Sequence, residues 1–429
     1  MQILENKRVN VCSKTKNTIL WLVLLILFSF QPILERYFVF VKLFDEIVII
    51  LFFAAACVKI LIRRTVSNFQ LEIATVVFIL LAVGVCGNYV SNLGQPVFAI
   101  LQDIFSNCKL FMLVFSISVI SFPMEQKLCL IEVLSQFIRL LFLVLFLCAF
   151  VSLFVDIGMT DYTEGTRYGL RAFQFIYNNP AGLNTYFYMF FTIYSLTLYK
   201  GGKLRKNASL FTFMGLFAWF LTLRSRAVVF SLLYLVVYVY IVYLRKPNTV
   251  FKFKWYYFVG ITIVGISLSW SAIEKYFISN DSTSRFQLMY NSFKIASDYF
   301  PIGTGFGTYG TEASRAFYSN AYYLYNMYEI YGLSPIYPLY VVDQYWFGII
   351  GQFGFIGSIA IFYMIYRIYR KIWNFSKFKK SNQLAALVFL FTSFLASFTA
   401  GTYIQASIVP TVLVLFFLKC EIRSIKNNI

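Results

Sequence analysis

Apolar residues run along this chain in long unbroken blocks, not in the three-to-four-residue rhythm of a soluble amphipathic helix. The blocks fall near 18–35, 43–62, 71–90, 104–122, 134–155, 181–199, 207–223, 226–244, 255–272, 341–366, 383–400 and 402–418. Each approaches the roughly 20 residues that an α-helix needs to cross a bilayer. The pattern predicts an all-α polytopic integral membrane protein, one membrane domain over 1–429 with about twelve transmembrane helices.

The links between blocks test that count. Basic residues crowd the N-terminal tail (Lys7, Arg8, Lys14, Lys16), Arg63-Arg64, Lys200–Lys206, Arg245–Lys254, Arg367–Lys380 and the C-terminal tail (Lys419, Arg423, Lys426). With twelve spans, every one of these falls on the same side, as the positive-inside rule requires, and both termini are cytoplasmic. Two sizeable outer segments remain, 156–180 and 273–340. The second far exceeds the typical connection of roughly 4–6 residues, and such loops are usually functional or disordered. Its aromatic content argues against disorder. The first apolar block follows a basic stretch, as in a signal peptide. No small-residue cleavage pattern follows it, only Glu35-Arg36-Tyr37-Phe38, so a retained first helix is expected.

Composition sharpens this picture. The 429 residues are 60% hydrophobic and 13% charged, with a mean hydropathy of +0.71. A soluble domain carries roughly 25% charged residues. The formal charge of +19 does not imply nucleic acid, because Lys and Arg sit in the links as orientation signals. The seven cysteines are scattered, without CxxC spacing, and read as small buried apolar residues and not as a disulfide framework. Histidine is absent, which removes the commonest transition-metal ligand and the commonest base near neutral pH. No metal and no cofactor is called for.

Candidate chemistry lies in the outer segments. Arginine there runs against the topology signal and grips phosphate oxygens in bidentate fashion. Arg167 and Arg171 lie in 156–180, Arg224 and Arg226 in the tight turn after 207–223, and Arg285 and Arg315 in the long loop. Arg171, Arg226 and Arg285 are the candidate anion site; Arg36 and Arg315 read as solvated loop or headgroup residues. Asp343 opens the tenth span, where a carboxylate is costly and a functional candidate by default. It is either a proton acceptor or a counter-ion for an arginine; Glu312 and Asp298 are weaker candidates for that role. Gly305, Gly307 and Gly310 form a GxGxxG without the flanking strand and helix of a dinucleotide site. Gly303, Gly305 and Gly307 are therefore expected either to bring loop backbone near a ligand or simply to turn. From Phe317 to Trp346 there are nine tyrosines, which serve as interfacial anchors or as sugar-stacking platforms. Gly348, Gly351, Gly354 and Gly357 mark a helix face for close packing. No DxD pair occurs in the outer loops, which disfavours a metal-dependent sugar transferase.

The order of these features resembles the O-antigen ligase/polymerase superfamily, specifically the Wzy-type polysaccharide polymerases. The matching elements are Arg171-Ala-Phe-Gln-Phe-Ile-Tyr-Asn-Asn-Pro180, Thr222-Leu-Arg-Ser-Arg226, Ser284-Arg285 with Asp298-Tyr-Phe-Pro-Ile-Gly-Thr-Gly-Phe-Gly307, and Asp343-Gln-Tyr-Trp before Gly351-Gln-Phe-Gly-Phe-Ile-Gly357. They span roughly 165–360; the first half is similar only as hydrophobic spans. The resemblance implies a GT-C-like enzyme of the bacterial cytoplasmic membrane. It would transfer a growing glycan from undecaprenyl diphosphate onto the next lipid-linked repeat unit, with inversion and without metal. Arg167, Arg171, Arg226 and Arg285 would hold the diphosphate leaving group. Asp343 would be the base, and Tyr318, Asn320, Tyr322 and Trp346 would contact glycan. A chain-length regulator and a flippase of the same pathway are the implied protein partners. Ligases of the superfamily use a loop histidine; here the corresponding stretch is Tyr318-Ser-Asn-Ala-Tyr322, which favours polymerase over ligase. A flippase, the rival of another class, should show repeat-related halves and charged residues within spans. Here the spans are nearly free of charge away from their ends, with Lys109 and Arg139 the exceptions.

Overall fold

The computed structural model describes residues 16–120, 124–162, 166–167, 169–245, 283–376 and 379–417, with Gly260, Ile263, Ser267, Trp270 and Glu274 between them. The expected span at 255–272 lies almost wholly outside the described residues. Helices occupy the other expected positions. They are α1 (Lys16–Tyr37), α2 (Phe44–Arg63), α3 (Asn68–Ser91), α4 (Val97–Val119), α5 (Met124–Val151), α6 (Pro180–Thr197), α7 (Ala208–Phe220) and α8 (Ser225–Val239, carried on by a π-helical turn to Leu244). The long loop holds α9 (Ser284–Asp298), α10 (Glu312–Ala316) and α11 (Asn320–Leu324); α12 (Tyr345–Ser376), α13 (Lys380–Ala396) and α14 (Ile408–Phe417) follow.

Among the described residues, five segments are long and apolar enough to cross a membrane: Asn68–Ser91, Val97–Val119, Cys129–Val151, Ser225–Leu244 and Tyr345–Ser376. Three other helices fall short for visible reasons. Helix α2 carries Asp45, Glu46, Lys59 and Arg63, α7 has 13 residues, and α13 has 17.

Local chemistry fixes several helix ends. Ser67 and Gln70 form a reciprocal capping box on α3. Asn179 caps α6 by accepting from the Gly182 N–H at 2.6 Å, with Pro180 in the first turn where its missing N–H is harmless. Helix α12 breaks its regular geometry at Gly354, at φ +56 and ψ −150.

Side chains pack into two large clusters. One joins α5, α6, α7, α8 and α13 around Phe142, Phe187, Phe191 and Trp219. The other joins α2, α3, α4, α12 and α14 around Ile49, Leu80, Leu113, Phe353 and Ile361. The loop before α12 has a third core of its own, with Leu288, Ile295, Tyr309, Tyr322, Met327, Leu333 and Val341 buried together. The long loop is thus a folded element, and α9 lies along α12.

At the bundle end away from this loop, basic links meet: Lys380 donates to the carbonyls of Val242 (3.3 Å) and Arg245 (2.9 Å). There Arg205 also binds Glu132 through two hydrogen bonds, 3.0 and 2.7 Å. Cys57, Cys86, Cys108 and Cys148 are free. Cys129 is disulfide-bonded, which corrects the expectation of unpaired cysteines, and Cys86 is exposed on the flank of α3 instead of buried.

Candidate functional site

The centre of the site is the turn between α7 and α8. Leu223, buried and bulky, sits at φ +50, a left-handed conformation that such a residue adopts only when its surroundings force it. The turn is held by N–H bonds from Thr222 to the Trp219 carbonyl and from Leu223 to the Phe220 carbonyl. It delivers Arg224 as the residue before α8 and Arg226 into the first turn of α8. Arg224 pairs with the buried Asp161 at 3.6 Å, whose N–H is bonded to the Ala172 carbonyl. Arg226 donates to the Thr399 carbonyl at 3.1 Å, reaching across to the link after α13.

Arg285 enters the same region from the first turn of α9. Its Nη2 meets Asp343 Oδ2 at 3.1 Å, and both side chains are about a quarter exposed, 25% and 29%. Arg226 lies within electrostatic reach of Arg285, Asp343, Arg224 and Tyr188. Burial pushes the Asp343 carboxyl above its ordinary 3.8, while the neighbouring Arg285 and Arg226 hold it back. The Tyr188 hydroxyl accepts from Asn184 at 2.8 Å, and Asn184 accepts from the Trp219 indole at 2.6 Å. This chain of bonds ties the arginine turn to the aromatic core.

Two arginines in the first turns of two helices oppose the helix dipoles, whose N-termini are already positive. Two guanidiniums, each in the first turn of a helix, lie within electrostatic reach of each other here. The Asp343 carboxylate lies within reach of both.

Other residues singled out from the sequence are placed differently. Arg167 and Arg171 lie on a two-residue antiparallel hairpin, Thr166–Arg167 with Leu170–Arg171. Arg171 is half-exposed, pairs with Asp156 at 3.4 Å and covers the Tyr162 ring at 4.4 Å. Its hairpin adjoins the Asp161–Arg224 pair, but its described partners are Asp156 and Tyr162, not Asp343. Tyr322 and Trp346 are 0% and 1% exposed. Tyr322 stacks on Tyr309 and bonds to the Gly310 N–H at 2.9 Å. Trp346 stacks on Phe362 and donates to the Phe394 carbonyl at 3.2 Å. Neither ring presents a face to the outside, so both are structural here and not open to a glycan. Tyr318 donates to the Leu333 carbonyl at 2.7 Å, and Asn320 to the Leu93 carbonyl at 2.9 Å, which pins α11 to the α3–α4 link. Tyr323, Tyr331 and Tyr337 are the exposed members of the tyrosine set near the loop surface. Of the weaker candidates, Arg36 donates to the Ile176 carbonyl at 3.2 Å, Arg315 pairs with Glu312, and Asp298 accepts from Tyr325 at 2.8 Å.

Gly303, Gly305 and Gly307 do not line an open cleft; they insert among α3, α4 and α12. The Gly305 N–H donates to the Gln352 carbonyl at 2.7 Å and the Gly307 N–H to Asp103 Oδ2 at 2.8 Å. Asn88 clasps Phe306 at both backbone groups, 2.8 and 2.9 Å. Sequence reasoning missed Asp161, Asn184, Tyr188 and Thr399 at the arginine cluster. Asn184, a polar residue inside an apolar block, was the one available signal.

Comparison of the chain with family models, with curated protein sequences and with solved structures finds no match.

Proposed function

We propose that the chain is a Wzy-type polysaccharide polymerase: a twelve-span, GT-C-like enzyme of the bacterial cytoplasmic membrane with both termini cytoplasmic. Its substrates are undecaprenyl-diphosphate-linked oligosaccharide repeat units, joined on the outer face into capsule, exopolysaccharide or O-antigen. The observation that carries this reading is the pairing of Arg226 and Arg285, each in the first turn of a helix, around Asp343. A lipid diphosphate brings two negative charges and planar oxygen pairs that match guanidinium forks. The same cations stabilise the diphosphate as it leaves. Asp343, released from Arg285 by the incoming diphosphate, is then free to take a proton from the acceptor hydroxyl; its raised proton affinity suits that step. Arg171 and Arg167, on the adjoining hairpin, would meet the diphosphate from its open side, and the exposed tyrosines of the loop would meet the glycan.

The test is to inactivate the gene and resolve lipid-linked and surface glycans by size. Loss of polymer with single repeat units persisting on the outer face supports the polymerase, and Arg226→Ala and Asp343→Ala should each reproduce it. Full-length polymer accumulating on its lipid carrier would make the protein an O-antigen ligase. Repeat units trapped on the cytoplasmic face would make it a flippase.

A further inference from the structure

A second polar site lies away from the arginine cluster, between α4, α10 and α12. Asp103 is 1% exposed, although it sits in the second turn of an apolar helix. Its Oδ2 accepts from the Gly307 N–H at 2.8 Å and from Gln352 Nε2 at 2.7 Å. The Thr311 hydroxyl lies within reach of the carboxylate, but Asp103 Oδ1 makes no well-formed hydrogen bond, and neither does Gln352 Oε1. The Gln352 amide cannot be turned around to mend this, because its oxygen would then face Asp103 Oδ2, acceptor against acceptor. Asp103 and Gln352, the two residues with orphaned oxygens, both line one small cavity, together with Asn107, Thr311, Glu312 and Tyr345. Asn107 gives one of its two amide N–H groups to the Asp103 carbonyl at 3.0 Å, and its amide oxygen is a further acceptor.

The charge balance is as one-sided as the hydrogen bonding. Among the described residues no cation pairs with Asp103, and Glu312, the other carboxylate at the cavity, is paired with Arg315. A buried, uncompensated carboxylate in a membrane helix is costly. A cavity walled by a carboxylate oxygen, amide oxygens and a hydroxyl, and carrying one unbalanced negative charge, matches a hard monovalent cation with oxygen ligands.

We propose that this cavity binds one monovalent metal cation of about sodium's size, held by Asp103 Oδ1 and Gln352 Oε1 with Thr311 and Asn107 beside them. The cation would fasten the glycine-rich loop and α10 to α4 and α12. Nothing in this depends on the glycan reading, since the site shares no ligand with the arginine cluster.

The experiment is thermal unfolding of the purified full-length protein in detergent, titrated with sodium chloride while choline chloride holds ionic strength constant. The melting temperature should rise by about 2 °C for each tenfold of sodium above its dissociation constant. Asp103→Asn keeps one acceptor for the Gly307 and Gln352 donors and should melt independently of sodium. If sodium and choline titrations of the wild type coincide, the carboxyl is held neutral by a proton and the proposal falls. It falls also if Asp103→Asn retains the sodium response. Should that variant fail to fold, the wild-type sodium and choline curves decide the matter alone.

Discussion

Replacing Gly305 by alanine probes the seam between the outer loop and the membrane bundle. Gly305 sits at φ +89, and a Cβ there would lie 2.3 Å from the Asn88 backbone nitrogen and 2.5 Å from the Gly84 carbonyl oxygen. Both neighbours are backbone atoms of α3 and cannot swing aside. The left-handed conformation alone costs alanine about 1–2 kcal/mol. Relief of the overlap requires the loop to back away from α3. That endangers the two Asn88–Phe306 bonds and the bond from the Gly305 N–H to the Gln352 carbonyl, each worth about 1 kcal/mol. The expected loss is therefore about 3–5 kcal/mol, a fall in melting temperature of roughly 3–7 °C. Gly202→Ala is the matched control: φ is +80 in a hairpin turn, with nothing within 4 Å of the added Cβ. It should lose only the conformational part. Scanning fluorescence of both variants in the same detergent makes the comparison. Equal melting of the two would show that the loop is not wedged against α3, and the close insertion of the glycine segment among α3, α4 and α12 would be wrong.

Asp343→Asn should show a pH signature. The folded carboxyl holds its proton to higher pH than the ordinary 3.8, so wild-type stability relative to the variant is fully present below that value and is lost as pH rises through the raised one. The difference in melting temperature, wild type minus variant, should fall as pH rises from below the ordinary carboxylate value through the raised one; a flat or rising difference refutes the burial argument. Trp219→Ala removes a ring stacked against both Phe187 and Phe191 at 0% exposure and should cost about 3–5 kcal/mol in chemical unfolding. Trp219→Phe keeps a ring but orphans Asn184, so about 1–3 kcal/mol is expected; a neutral result would mean that Asn184 finds another donor. Glu132→Gln breaks the two-pronged bond to Arg205, whose side chain is only 9% exposed. A loss of about 2 kcal/mol should appear, recovered in part when Arg205 is also replaced by an apolar residue.

The helices were legible because lipid-facing helices need apolar residues on every side, and that leaves long blocks no soluble fold would produce. Arg226, Arg285 and Asp343 were legible because charge near an apolar block is conspicuous. What the outer loop builds was not. Helix α9 carries Ser, Asn and Lys among its apolar residues and looks in sequence like any polar stretch. Composition also says nothing about whether a tyrosine shows its face or buries it: Tyr322 and Tyr323 are neighbours, one fully buried and the other 46% exposed. Asp103 escaped for a different reason. Its partners Gly307 and Gln352 are 204 and 249 residues away in the chain, and the fourth apolar block begins only after it. Long-range polar contacts of this kind leave no periodic trace.

The arginine cluster is better explained by a ligand than by stability. Among the described residues, Arg224, Arg226 and Arg285 bring three positive charges to one end of the bundle, beside the two carboxylates of Asp161 and Asp343. Two of those arginines sit at helix N-termini, where a cation is disfavoured by roughly 0.3–1 kcal/mol and an anion would gain as much. Arg226 and Arg285 also repel each other, and the α7–α8 turn that delivers Arg226 holds Leu223 in a left-handed conformation. A purely structural ion pair needs none of this: one arginine and one aspartate in the middle of two helices would serve at lower cost. Positive charge in excess of the described carboxylates, two helix N-termini and backbone strain would all be offset by a multiply charged anion. On the proposed function, the Arg285–Asp343 pair would be the resting state of the site, and the anion would displace the carboxylate as it binds.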